Sequence, residues 1–129
     1  MEQTYSVERA RAVLAELRPT IDDLIAVRAE AAELGAAVRD GVASPLGGLP
    51  ELKAAQARLD ELLSAFAALD VQIKGVAPLL LDFPAELDGV PVLLCWLEGD
   101  AELAWYHRAD LGFAGRRRLT SDHLASGST

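Results

Sequence analysis

An α+β fold, with a long antiparallel helical hairpin preceded by a short helix and followed by a three-stranded antiparallel meander, is predicted by three features of the chain. Apolar residues recur at helical spacing as far as Lys74. After Gly75 they gather into short continuous runs. Turn residues (Gly, Pro, Asp, Ser) punctuate both halves.

Ser6 stands where an N-cap is wanted, ahead of a helix over 7–17, with Tyr5 placed to staple onto Ala10. Pro19 disfavours helical geometry at Arg18, which predicts a break and a second helix over 19–38 with proline in its first turn. Leu24, Val27, Ala31, Leu34 and Val38 alternate in spacing between three and four, a heptad seam. Asp40–Leu49, rich in Gly, Ser and Pro, reads as a loop. A third helix over 50–74 carries the cleaner seam: Leu52, Ala55, Leu59, Leu62, Phe66, Leu69 and Ile73. At about 1.5 Å per residue it would be a rod of roughly 35 Å. Two such helices joined by one loop should pack antiparallel and bury their seams. A coiled coil with a partner would instead need those positions exposed.

Beyond Gly75 the runs predict strands over 79–83, 92–97 and 103–107. Pro84 ends the first, Asp88-Gly89 supplies hairpin-turn chemistry, Pro91 is tolerated at the start of the second, and Glu98-Gly99-Asp100 makes the next turn. Residues 1–120 then form a single domain, and the polar segment 121–129 a disordered tail. In the middle strand Val92, Leu94 and Trp96 face one way and Leu93, Cys95 and Leu97 the other. Both faces are apolar, and one helical hairpin covers only one. The second needs either another copy of the chain, which predicts a homodimer associating partly through its sheet, or the Leu111–Leu119 segment folded back as a lid.

Composition narrows the function classes. The chain is 51% apolar over 129 residues, enough for a sizeable core. Net charge is −8, so nucleic acid would be repelled; Arg116-Arg117-Arg118 is too short to reverse that balance and reads as a solvated run. One cysteine, Cys95, permits no intrachain disulfide and suits a reducing cytoplasm. No leader and no membrane-spanning run is legible. The Arg/Ala/Leu bias, with Lys53 and Lys74 the only lysines, points to a high-GC bacterial genome.

Chemistry concentrates in Cys95–His107, which holds the cysteine, both tryptophans, three carboxylates and one histidine. Cys95, His107 and a carboxylate are acceptable ligands for zinc or iron, but the spacing matches no compact motif and no second soft ligand is near Cys95, so no metal is expected. Nucleophilic catalysis needs thiol and imidazole on one face. A two- or four-residue turn pairs Cys95 with Ala104 and separates them. A three-residue turn centred on Asp100 unites them, but sets His107 opposite Leu93, too far along for direct contact. A third arrangement is a small-molecule pocket walled by Trp96 or Trp105, with Asp82, His107 and Arg116 converging as polar groups. Against it, a structural ion pair of Arg116 with Asp82 or Glu102, and a backbone hydrogen bond by which His107 caps a strand, explain the same residues. No phosphate-binding loop is present.

Tyr5-Ser6-Val7-Glu8-Arg9-Ala10, Leu17-Arg18-Pro19, Leu81-Asp82-Phe83-Pro84-Ala85, Gly89, Cys95-Trp96, Gly99, His107 and Gly112-Phe113-Ala114-Gly115-Arg116 together resemble the bacterial domain of unknown function 2203 family. The resemblance spans nearly the whole chain and implies no established activity. Asp82, Cys95, Trp96, His107 and Arg116 match its pattern. Asp100 stands where similar proteins have Glu, Tyr106 where they have Trp, and Gly75 where they have Asp. The expected function is a non-catalytic, homodimeric interaction or scaffolding module without cofactor. The alternative is a small-molecule-binding protein or enzyme using Asp82, Trp96, His107 and Arg116.

Overall fold

The computed structural model describes residues 4–126, with side chains through Leu124. It is an α+β fold of two long helices and a five-stranded antiparallel sheet. The chain divides into two compact units. One is Leu17–Ala65; the other combines the preceding residues with those from Phe66 onward.

Helix α1 runs unbroken from Val7 to Asp40, with Pro19 inside it, so the short first helix predicted over 7–17 does not exist as a separate element. Its N-cap is as expected: Ser6 Oγ accepts a hydrogen bond from Arg9 N–H at 3.0 Å. Proline costs a helix interior about 3 kcal/mol. Leu17 and Ile21 on either side of it are buried, and that burial outweighs the one lost backbone bond. Gly41, at φ 67°, ends α1 by letting Gly41 N–H reach Val38 O and Val42 N–H reach Ala37 O.

Helix α2 spans Leu49–Ala67. Gly48 precedes it, its N–H held by Glu51 Oε1 at 2.8 Å. Within the Leu17–Ala65 unit, Leu34, Leu52 and Ala55 form a buried cluster with Val27 and Ala31 packed on it. Of the expected seam, Leu52, Ala55, Leu62 and Phe66 are buried, while Val38 is exposed. The predicted extension of this helix to residue 74 is incorrect. Asp70 adopts φ 58°, Asp70 N–H bonds Ala67 O, and Val71 N–H bonds Phe66 O. That is a Schellman stop built on aspartate rather than glycine.

The freed residues form strand β1 (Gln72–Val76), followed by β2 (Leu79–Leu87), β3 (Val90–Leu97), β4 (Trp105–Arg108) and β5 (Arg117–Arg118), in the order β1-β2-β3-β4-β5. The meander predicted with three strands thus gains one at each edge. Asp88 and Gly89, at φ 53° and 78°, make the two-residue turn that sets Leu87 opposite Val90. Pro84 does not end β2. Its carbonyl accepts Tyr5 N–H at 2.7 Å, on the side away from β3, so its own nitrogen also faces away from β3 and the missing N–H breaks no bond to that strand.

One sheet face, with Leu81, Phe83, Leu94 and Trp96, is fully buried. The start of α1 is tied to this sheet unit. Tyr5 meets Phe83 edge-on at 5.4 Å, and Arg11 donates two hydrogen bonds to Leu103 O. The segment predicted as a disordered tail begins with a short helix α3 (Ser121–Ser126), where His123 meets Tyr106 edge-on at 5.0 Å; residues 127–129 lie outside the described residues. Among the described residues, no helix is long and apolar enough to cross a membrane.

Candidate functional site

The opposite sheet face carries the polar cluster. Asp82 on β2 is the direct cross-strand partner of Cys95 on β3, and His107 on β4 stands opposite Leu93. Strand alternation therefore points Asp82, Cys95 and His107 to one side. They are 1%, 0% and 4% exposed. Their ligating atoms all lie within 4.8 Å of one another. Asp82 Oδ2 is 3.1 Å from His107 Nε2 and 4.0 Å from Lys74 Nζ, which reaches in from β1.

The hydrogen bonds fix the imidazole. Nδ1 faces two carbonyl oxygens, Leu111 O at 2.7 Å and Arg108 O at 3.0 Å, so the hydrogen belongs on Nδ1. Nε2 then faces Asp82, and one proton is shared between them, as imidazolium with carboxylate or as imidazole with carboxylic acid. Both ring nitrogens are engaged within the protein.

Cys95 is the reverse of an activated nucleophile. Burial first, and then the charge and hydrogen bond of Asp82, push its thiol up to about 12 from an ordinary 9.0. The stability that goes with the buried thiol is fully present below pH 9 and is lost as pH rises from about 9 towards about 12. Chelator-treated protein should lose up to ~1.4 kcal/mol per pH unit above pH 9 through this group. Cys95→Ala should remove that slope in urea titrations between pH 8 and about 9.5, below the ordinary value of 10.0 at which Tyr5, whose phenol is also raised by burial, starts to add its own. An unchanged slope would mean the thiol titrates normally.

Of the four residues expected to converge, the structure brings together Asp82 and His107. Trp96 points to the other face, where its Nε1–H bonds Asp100 O at 3.1 Å. Arg116 is stacked between Trp105 and Phe113, 4.6 and 4.4 Å from the ring centres. Its nearest carboxylate is Asp100, at 3.9 Å, rather than Asp82 or Glu102. A cleft of about 440 Å³ beside Lys74, Pro84 and Leu93 includes none of the four. Cys95 is the member that sequence reasoning set aside, yet the signal was present. A two-residue turn at Asp88-Gly89 places Leu87 opposite Val90, and stepping back along both strands sets Asp82 opposite Cys95.

The segment after β4 folds back over this second face. Leu111 O binds His107, Leu119 N–H binds Ala104 O, and Arg116 lies over Trp105, the partner of Cys95 on β4. Leu111 and Phe113 themselves stay exposed, so the cover is backbone and arginine rather than an apolar lid.

Fold and site together define a small α+β protein with a helical hairpin and a buried Asp–Cys–His cluster on a meander sheet. The model of the uncharacterized conserved protein family DUF2203 matches residues 3–119, and the chain belongs to that family. No curated protein and no solved structure matches it.

Proposed function

We propose that this protein is a non-catalytic interaction module that forms a homodimer through the end of its helical hairpin. The observation that carries this reading is the exposure of four large aliphatic side chains close together in sequence: Val38 41%, Val42 64%, Leu46 40% and Leu49 50%. They occupy the last turn of α1, the connecting loop and the first residue of α2. Exposed large aliphatic groups this close together along the chain favour a protein partner.

The occupant proposed is a second copy of the chain. Residues 36–53 hold Arg39 and Lys53 against Asp40 and Glu51, so this end is neutral in a chain of net charge −8. Two copies meet there without the like-charge repulsion that the rest of the surface would impose, and one patch meets its own copy across a two-fold axis. The sheet is the weaker candidate, because Leu93 and Cys95, which motivated an interface there, are buried within one chain. Burial of the Asp82–Cys95–His107 cluster, with both imidazole nitrogens engaged and the thiol pushed up, weighs against the enzyme alternative.

Sedimentation equilibrium of the full chain should give twice the 13.7 kDa chain mass at micromolar concentration. Val42→Glu with Leu46→Glu should return the single-chain mass while circular dichroism stays helical, since both side chains are exposed. A wild-type monomer would overturn the proposal. So would a dimer that survives this pair of changes but is dissociated by Leu97→Glu, which would put the interface on the sheet.

A further inference from the structure

We propose that Asp82, Cys95 and His107 form a binding site for a zinc-class divalent metal that ties β2, β3 and β4 together. The ligand types fit. Thiolate, imidazole and carboxylate are the three groups zinc accepts, and zinc has no electronic preference that a mixed set would violate. Calcium and magnesium require several oxygen ligands, and this cluster supplies one carboxylate.

The geometry fits as well. Metal–ligand bonds of about 2.0–2.3 Å in a tetrahedral site separate the ligand atoms by roughly 3.3–3.6 Å. The Oδ2–Nε2 separation is already 3.1 Å, and the widest pair in the cluster stays within 4.8 Å. Closing on a metal therefore needs side-chain adjustment of about an ångström, not a change of register.

Two further observations point to a ligand rather than a filled core. Beyond the weakly donating Cys95 thiol, no donor among the described residues serves Asp82 Oδ1, although its side chain is almost wholly buried; an atom so poorly satisfied is costly. A metal bound through this oxygen, or through both oxygens of the group, supplies a partner. His107 is also set as a metal-ligating histidine is. Backbone carbonyls of Arg108 and Leu111 hold its Nδ1–H, which turns Nε2 towards Asp82 and Cys95.

Charge balances in the bound state. The metal's two positive charges meet the carboxylate of Asp82 and the thiolate of Cys95, with His107 neutral, and no net charge is buried. The thiol proton and the proton shared by Asp82 and His107 leave to solvent as the metal enters. Lys74, whose side chain is about half exposed, loses its role beside Asp82 and is free to turn outward. Three protein ligands leave a fourth position for water or for the second oxygen of Asp82. With ligands drawn from three neighbouring strands, the metal would hold β2, β3 and β4 together. The sequence-based expectation of no metal counted His107 as a ligand type but rested on a spacing that matches no compact motif and on the lack of a second soft ligand near Cys95; the sheet makes up the spacing by register.

The test uses the full chain, stripped with chelator and titrated with zinc chloride or cobalt chloride. Expected are one zinc per chain by elemental analysis, a rise in melting temperature, and a thiolate-to-cobalt charge-transfer band in the cobalt form. Cys95→Ala and His107→Asn should each weaken zinc binding by about 100-fold or more, since even residues that only orient ligands cost 10–100-fold. The cobalt band is read on wild type, so a variant that fails to fold does not leave the proposal undecided. Stoichiometric binding without that band, or undiminished in folded Cys95→Ala, would place the metal elsewhere and overturn the site. Failure of wild type to bind zinc at all would do the same.

Discussion

Phe66→Ala should destabilise the protein by about 3–5 kcal/mol, the range for removing a fully buried aromatic side chain and leaving a cavity. Phe66 has no solvent exposure and sits on the last turn of α2. Its carbonyl accepts both Leu69 N–H and Val71 N–H, so the residue whose ring is buried is also the one on which the chain leaves the helix for β1. Loosening the ring releases the point that sets the β1–β2 register. Phe66→Leu keeps an apolar side chain of related volume and should cost less than half as much. Chemical denaturation with a matched m-value checks both; an alanine variant within about 1 kcal/mol of wild type would show that the ring is not packed as described.

The parts of the fold legible in the sequence were those governed by local chemistry. Ser6 caps, Asp88-Gly89 turns and the Gly41–Gly48 loop connects because each follows from the conformational preference of a few residues. The misread elements are those where tertiary structure decides. Pro19 ought to interrupt a helix, but burial on both sides carries the helix through it. Leu69 and Ile73 continue the apolar period of α2, so nothing in the pattern reveals that Asp70 takes a left-handed conformation and ends the helix early. β5 is only Arg117–Arg118, too short for an alternation to show.

The site was half legible for a related reason. A three-residue turn centred on Asp100 correctly implies that Cys95 and His107 share a face, although the observed connection from β3 to β4 is longer. The error lay in asking for direct opposition. Residues offset by two along neighbouring strands are diagonal neighbours, within reach of a side chain as long as histidine. Asp82, directly opposite Cys95, then draws the ring inward. Trp96, next in sequence to Cys95, belongs to the other face by the same alternation.

Asp82→Ala should cost about 3–5 kcal/mol in chelator-treated protein at neutral pH, because it removes one partner of a buried, hydrogen-bonded pair and leaves the other facing an apolar void. His107 sets this cost. Its Nδ1–H is committed to Leu111 O and Arg108 O, so the ring cannot rotate to find a new acceptor without breaking the contact that holds the segment after β4 over the sheet. With alanine at 82, a charged ring would be buried beside the partly exposed Lys74 with no carboxylate between them. Asparagine behaves differently. Its side-chain amide matches the carboxyl in shape and can donate to Nε2 of a neutral ring, so Asp82→Asn should lose only about 1–2 kcal/mol. Urea unfolding of the two variants, with His107→Ala closing a double-mutant cycle, separates the contributions. Coupling between Asp82 and His107 should fall in the range of about 0.5–3 kcal/mol expected for groups in direct contact. A negligible coupling would mean that the two side chains sit side by side without sharing a proton. Asparagine as damaging as alanine would mean instead that the carboxylate charge, rather than the hydrogen bond, is what the buried cluster requires.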